Sequence, residues 1–267
     1  MEIVELFKDA LTYPIKEWNK LLLFGVLFVV MSIFSILQVF GLALTNYAAV
    51  GIVGIISFVV TFVFTMLIFG YILSIIRKTI NNVSGDVPKI DLATNFVDGL
   101  KVLVLYIVYY IIPVVITLIV AYATGAFNYL YQFMMIVANT GSVNAVPQAL
   151  MANAGANLLI VAVIAMILYI IFTLLLWIAT VVLAETDSLG AAVHMGNVFK
   201  KIGEISWVNY IIWAIILAII TFIIGFVSDL ILYIPFLGFI LSLLIISPFL
   251  EMFKTRALGL IYNESKR

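Results

Sequence analysis

The sequence predicts an all-α protein: a polytopic membrane helix bundle of six transmembrane helices, with short amphipathic interfacial helices on the cytoplasmic face. Two observations predict this class. Hydrophobic residues make up 66% of the 267 residues and charged residues only 10%, whereas soluble domains have roughly 45–50% and about 25%. Charge-free runs long enough for the roughly 20-residue hydrocarbon crossing alternate with short charged segments. A water-soluble fold could not bury so much apolar surface.

The breaks between the apolar runs place the spans. Residues 21–76 carry no charge and are long enough for two spans, with a turn near Asn46. Pro113 falls inside the third span, where a membrane bundle tolerates it as a kink. The last apolar block is interpreted as a helical hairpin that turns near Asp229. The predicted spans are about 21–44, 47–76, 102–123, 158–184, 208–228 and 233–250, within a single membrane domain of 1–267.

The lysines and arginines predict the orientation. Three lie in the N-terminal segment, four in 77–101, two in 185–207 and four after residue 250, which accounts for all 13. The intervening segments near Asn46, within 124–157 and near Asp229 contain none. With six spans the two sets fall on opposite faces, and the basic face is cytoplasmic by the positive-inside rule. We therefore expect a multi-pass protein of the cell membrane with both termini in the cytoplasm.

Three charged segments have a helical apolar pattern that predicts interfacial helices. They precede the first, third and fifth spans and contain the strings Phe7-Lys8-Asp9-Ala10, Phe96-Val97-Asp98-Gly99 and Phe199-Lys200-Lys201-Ile202. These strings suggest a threefold repeat, each unit being an interfacial helix followed by a two-helix hairpin. The alternative is that any cytoplasmic linker before a span tends to be amphipathic.

The segment 124–157 separates the third and fourth spans and carries no charge. Its tyrosines and phenylalanines suit a membrane interface. Two interpretations remain open, an interfacial loop on the outer face and a re-entrant segment that lines a cavity.

No pattern of catalytic or cofactor-binding residues is present. The chain has no cysteine and a single histidine, His194, so a zinc site lacks its usual ligands. No nucleotide-binding or nucleophile-turn motif occurs. Zero net charge gives no signal for nucleic acid. Asp229 is the one acid within the last apolar block, and a polar turn residue is its simplest role. We expect no metal, no cofactor and no nucleic-acid partner, and nothing points to an enzyme.

Part of the sequence resembles the pattern of a known protein family. Gly70-Tyr71, Arg77, Thr79, Asp86, Pro88, Asp91 and the run 96–101, followed by Phe253, Arg256, Ala257, Gly259, Leu260 and Tyr262, resemble the pattern of an archaeal membrane-protein family known as domain of unknown function 4013. The resemblance implies a helical membrane protein and carries no activity with it. The residues singled out by this motif, with no role assigned, are Gly70, Arg77, Pro88, Phe96, Asp98, Gly99, Arg256 and Gly259.

The sequence does not define an activity. The leading hypothesis is a non-enzymatic scaffold or accessory membrane subunit, because the spans lack internal charges and one face carries ordered amphipathic segments. The alternative is a permease or lipid-handling protein with a path through the bundle near Pro113, Pro235 and Pro248. Expected partners are membrane lipids and a membrane or cytoplasmic protein.

Overall fold

The computed structural model describes residues 2–34, 47–81, 86–234 and 236–264. Of the residues that the structure describes, 90% are helical and none lies in a β-strand. This agrees with the all-α prediction. Helices are the natural form for such apolar segments, because in lipid every backbone polar group must find its partner within the chain.

Ten α-helices follow one another in the described residues, five of membrane length and five shorter ones. They are α1 Ile3–Thr12, α2 Trp18–Met31, α3 Tyr47–Asn81, α4 Leu92–Ala123, α5 Ala126–Thr140, α6 Gln148–Thr186, α7 Leu189–Val193, α8 Met195–Ile205, α9 Trp207–Leu232 and α10 Leu237–Glu264. Within α10, the five residues Ser242–Ile246 have π-helical geometry.

Five of these helices are long and apolar enough to cross a membrane: α3 from Gly51, α4, α6, α9 and α10. The described part of α2 is also apolar but covers only Trp18–Met31. The predicted connection between the first two spans, near residues 41–46, lies outside the described residues.

Three local predictions differ from the structure. The amphipathic segment before the third span is not a separate short helix, since α4 runs without a break from Leu92. The segment 124–157 is mostly helical. Gly125 and Gly141, both in left-handed conformation, flank helix α5, and helix α6 begins at Gln148 within this segment. The last hairpin does not turn at Asp229, which still belongs to α9, but only after Leu232.

The chain divides into two compact units. The first unit consists of residues 1–105 and 177–267, and the second of residues 106–176. A core of the first unit lies around Tyr13, Phe24 and Tyr71, and the aromatic rings of Phe24 and Tyr71 are 4.6 Å apart. In the second unit Tyr110 stacks on Tyr169 at 5.3 Å, next to Pro113 in α4.

Candidate functional site

In the first unit, the carboxyl-terminal parts of α3, α6 and α10 are enclosed by other residues. In α6 every residue from 178 to 184 is buried, and in α10 every residue from 255 to 262 is buried. In α3 the buried side chains include Met66, Tyr71, Ile75 and Thr79. A helix that is buried on all sides lies in the interior of a bundle. We call these three segments the inner helix ends.

The first charged contact at the inner helix ends joins α3 to α4. Arg77 Nη1 donates to Asp98 Oδ2 at 2.8 Å, and Lys101 Nζ donates to Asp98 Oδ1 at 3.2 Å. Asp187, just past α6, accepts from Lys101 at 2.7 Å and from Arg77 at 3.3 Å. The carboxylate of Asp98 is only 5% exposed, so its two cationic partners offset the cost of burying it.

The second charged contact joins α6 to α8. Here the acid lies at the end of the long helix and the base on the amphipathic helix, the reverse of the first contact. Lys201 Nζ in α8 lies 3.7 Å from Glu185 Oε2 near the end of α6, and 3.2 Å from Glu204. The hydroxyl of Tyr262 in α10 donates to Glu185, and the ammonium of Lys201 lies 5.2 Å above the Tyr262 ring. This contact therefore also connects α6 to α10.

The third charged contact joins the first helix to the last. Arg256 Nε donates to Asp9 Oδ1 at 2.8 Å, and Arg256 Nη1 donates to Thr79 Oγ1 at 3.3 Å. The guanidinium also lies 5.0 Å above the ring of Tyr13. The Arg256 side chain is 1% exposed, which makes it the most enclosed charge of the three contacts.

The three contacts follow one cyclic rule. Asp98, Lys201 and Asp9 occupy matching places in the three amphipathic segments. Each pairs with the end of the second helix of another hairpin: Asp98 with α3, Lys201 with α6 and Asp9 with α10. The three segments also bury residues at matching positions. These are Leu6, Ala10 and Tyr13 in the first segment; Asn95, Gly99 and Val102 in the second; and Val198, Ile202 and Ile205 in the third. The repeat suggested by the sequence therefore corresponds to a pseudo-threefold set of contacts in the first unit.

Gly70 and Gly99 let α3 and α4 approach each other closely. A Cβ atom on Gly70 would lie 1.8 Å from the carbonyl oxygen of Asn95, and one on Gly99 would lie 1.9 Å from that of Met66. Each glycine thus faces the residue four positions before the other glycine, so the contact is reciprocal. Small residues at such crossings allow backbone contact between membrane helices, including weak Cα–H···O interactions.

A polar pair lies beside this crossing. Ser74 Oγ is 3.1 Å from the Gly70 carbonyl oxygen and 3.2 Å from Asn95 Oδ1, while Asn95 Nδ2 is buried without a partner. A hydroxyl has a single proton to donate. With the amide of Asn95 turned by 180°, one of its two Nδ2 protons is donated to Ser74, and the hydroxyl proton of Ser74 is donated to the Gly70 carbonyl oxygen.

Pro88 lies in the connection between α3 and α4, and Phe96 lies in the first turns of α4. The hydroxyl of Tyr71 donates to the Pro88 carbonyl oxygen at 3.1 Å, and Phe96 packs against the core around Tyr71. Lys20 Nζ donates to the carbonyl oxygen of Val87 at 2.6 Å. The connection is thereby held against the start of α2, and Val87 is fully buried.

Gly259 brings α10 against α3. A Cβ atom on Gly259 would lie 2.6 Å from the methyl carbon of Thr79, and Asn263 Nδ2 donates to the Thr79 carbonyl oxygen at 3.0 Å. All eight motif residues therefore lie in the first unit, and Arg77, Asp98, Arg256 and Gly259 lie at or beside the inner helix ends.

Two acids outside the membrane-length helices have a lowered pKa. The hydrogen bond from Lys101 lowers the pKa of Asp187, and the hydrogen bond from Lys20 lowers that of Glu17. A lowered pKa contributes stability above the ordinary pKa of a carboxyl group, and this contribution is lost as the pH falls through the lowered value. Both carboxylates therefore keep their charge near neutral pH.

Sequence reasoning assigned no charged contact to Asp9, Glu185, Asp187 and Tyr262, although Asp9 lies in one of the amphipathic strings and Tyr262 belongs to the family resemblance. Asp9 could have been found from the repeat, because it aligns with Asp98 in the matching string. Asp187 carried no such signal: its position depends on a left-handed backbone, with φ of 51°, directly after α6. In the described part of the chain, no group of three or more His, Asp or Glu side chains could hold a metal ion.

The long apolar helices and the inner helix ends define a multi-pass helical membrane protein. The chain belongs to the family Protein of unknown function (DUF4013), whose model matches residues 53–233. No curated protein and no solved structure was found to match it.

Proposed function

We propose that the protein is a non-enzymatic scaffold or accessory subunit of a membrane complex. The observation that carries this proposal is the internal use of charge at the inner helix ends. Arg77, Asp98, Lys201 and Arg256 all pair within the chain, around inner helix ends of which those in α6 and α10 are buried throughout. A charged path through this part of the bundle would need polar groups turned to an open space.

The proposed topology has six spans and both termini in the cytoplasm of the cell membrane. It adds to the five membrane-length helices a sixth span at about 21–44, whose first part lies in the helix Trp18–Met31. The distribution of all 13 lysines and arginines supports it, because an odd number of spans would divide them between the two faces. The whole chain 1–267 would then form one membrane domain.

Single cysteines test the topology, since the natural chain has none. Asn144→Cys and Lys200→Cys each place a thiol at an exposed position. On intact cells a membrane-impermeant maleimide should label the first variant only, and after lysis it should label both. Labelling of Lys200→Cys on intact cells would contradict the orientation.

Crosslinking tests the scaffold role with the same two variants. A short photoreactive crosslinker attached to Lys200→Cys in native membranes should give the same protein adduct in repeated experiments, and mass spectrometry would identify it. Asn144→Cys is the matched control at the opposite predicted face. Recovery of the protein with lipid adducts alone, from both positions, would contradict a scaffold that binds a cytoplasmic partner.

A second candidate function, lipid handling, is supported by one cavity in the second unit. It has a volume of about 430 Å³, and its lining includes Pro113, Thr117 and Ala165. Of the other two prolines named for a path, Pro248 is buried in α10 and Pro235 lies outside the described residues.

The lipid-handling candidate predicts movement of lipid between leaflets. Purified protein in liposomes should then accelerate the exposure of a fluorescent phospholipid to dithionite. Ala165→Trp, which fills the cavity, should abolish this acceleration, whereas Ala162→Trp on an exposed part of the same helix should leave it unchanged. Equal rates with and without the natural protein would remove this candidate.

A further inference from the structure

An open groove lies between α1 and α9 in the first unit. It has a volume of about 470 Å³, within the range of roughly 300–1,000 Å³ that is common for small-molecule sites. Its lining consists of Ile3, Val4, Phe7, Lys8, Leu11 and Thr12 of α1 together with Ile216 of α9. Five of these seven side chains are apolar.

The side chains that line the groove differ in their exposure. Lys8 and Thr12 are exposed, whereas Phe7 is only 5% exposed. Lys8 forms no ion pair with any residue that the structure describes. Its nearest basic neighbour along the chain, Lys16, pairs with Asp9. The groove thus combines an apolar floor with a cation that no side chain in the described ranges neutralises.

The groove reaches α9 at Ile216. Ile216 lies nine residues after Trp207, the first residue of α9, which is about 14 Å along a helix axis. Helix α1 carries its apolar residues on one side and its charges on the other, as expected for a helix at the membrane interface. A molecule in the groove would therefore meet Lys8 at the level of the lipid head groups and Ile216 at the level of the acyl chains.

We propose that this groove binds an anionic phospholipid, with one acyl chain along Phe7 and Ile216 and the head-group phosphate at Lys8. Charge complementarity decides between the possible occupants, because an apolar groove alone would accept any acyl chain while Lys8 favours an anionic head group. A lysine near the membrane surface contributes about 1 kcal/mol to binding of anionic lipid, which corresponds to about fivefold in affinity. The site does not depend on the scaffold role, only on insertion of α9 into the membrane.

The amphipathic helix of the third repeat provides a matched comparison. Lys200 in α8 occupies the place of Lys8 in α1 and is also exposed. The preceding aromatic residue packs against another helix in both cases, Phe199 against Trp207 at 5.9 Å and Phe7 against Phe253 at 6.3 Å. The two lysines differ in that Lys8 lines the groove and Lys200 does not. A general attraction of basic residues to anionic lipid would involve Lys8 and Lys200 alike, whereas the proposed site involves Lys8 alone.

Native mass spectrometry of the purified full chain tests the proposal. The probes are phosphatidylglycerol and phosphatidylcholine with identical acyl chains, titrated into the same detergent. The natural protein should bind the first phosphatidylglycerol about fivefold more tightly than the first phosphatidylcholine. Lys8→Gln should remove this preference, and Lys200→Gln should leave it unchanged. Equal losses in the two variants, or no preference in the natural protein, would overturn the site.

A second pair of variants tests the acyl-chain part of the groove. Ile216→Trp fills the groove without altering charge and should weaken binding of both lipids, while Ile219→Trp, one turn away at an exposed position, should not. Thermal unfolding of each variant in detergent verifies the fold. If the two variants bind lipid equally, the groove is not the site. A dimer that Ile216→Trp dissociates would assign the groove to a second copy of the chain and would also overturn the proposal.

Discussion

The two units of the chain differ most in their charges. All 13 basic and all 13 acidic residues belong to the first unit, and residues 106–176 contain none. The first unit encloses Arg256 and Asp98 among packed helices, whereas the second unit has the stacked pair Tyr110 and Tyr169 and a cavity beside Pro113. Membrane helices gain little from the hydrophobic effect once they are in lipid, so small residues and polar pairs determine which helices associate. The first unit uses both devices at its inner helix ends.

The largest expected effect comes from breaking the most buried charged contact. Arg256→Gln removes the nearer of the two cationic partners of Asp9, the other being Lys16, and also removes the cation above the Tyr13 ring. Loss of one partner of a buried ion pair costs about 3–5 kcal/mol, and the exposed side of Asp9 places this variant near the lower value. Unfolding in mixed SDS micelles would measure the change in free energy.

A double-mutant cycle gives the control for Arg256. Asp9→Asn combined with Arg256→Gln should cost clearly less than the sum of the two single changes, because the second change removes a charge that the first has already left without its partner. Strict additivity would show that the contact between α1 and α10 does not contribute.

The second-largest effect is expected at the crossing of α3 and α4. Gly70→Ala forces a methyl group against the Asn95 backbone, which cannot move aside as a side chain would, and overpacking of this kind costs about 3 kcal/mol. Gly54→Ala in the same helix and Gly155→Ala in the second unit meet nothing within 4 Å. Neither control should lower the free energy of unfolding. Equal effects of Gly70→Ala and Gly54→Ala would contradict the close crossing.

A smaller effect is expected at the contact with reversed signs. Lys201→Glu places a third carboxylate beside Glu185 and Glu204 and should lower the stability of the first unit by about 1 kcal/mol. Adding Glu185→Lys restores a pair of opposite charges between α6 and α8 and should recover most of this loss. If the double variant is no more stable than Lys201→Glu alone, the contact does not hold α8 against α6.

Composition and charge predicted the helical class, but the amphipathic pattern predicted the inward positions only in part. Ala10, Val198 and Ile202 are buried, as helical periodicity indicates. Before the third span, in contrast, the apolar Leu92 and Val97 are exposed and the polar Asn95 and Asp98 are buried. The hairpin predicted near Asp229 is present, but its turn follows Leu232, because a lone acid can lie at an exposed position of a helix as well as in a turn. The prediction of a separate helix before the third span was wrong because Gly99, the glycine between Leu92 and the apolar run, does not interrupt α4.

The partners in the charged contacts could not be read from the sequence. Arg256 and Asp9 are 247 residues apart, and periodicity carries no information about which distant helix a residue meets. The motif residues Gly70 and Gly99 were found by resemblance, but their role depends on the closeness of two backbones. Only the crossing of α3 and α4 reveals that each glycine faces a carbonyl oxygen of the other helix.

The smallest expected effect concerns the second unit, where a pair of hydroxyl groups joins α4 to α6. Tyr110 Oη and Thr173 Oγ1 are 2.8 Å apart, and hydrogen bonds between membrane helices contribute about 0.6 kcal/mol on average. Tyr110→Phe removes this bond but keeps the stacking on Tyr169. We expect a loss of about 0.6 kcal/mol in the free energy of unfolding, and Thr173→Val should give a similar value without further loss in combination. The loss could instead be as large as that of Arg256→Gln. A neutral contact in lipid would then stabilise the second unit as strongly as a buried ion pair stabilises the first. In that case the difference in stability between the units would not arise from their charges.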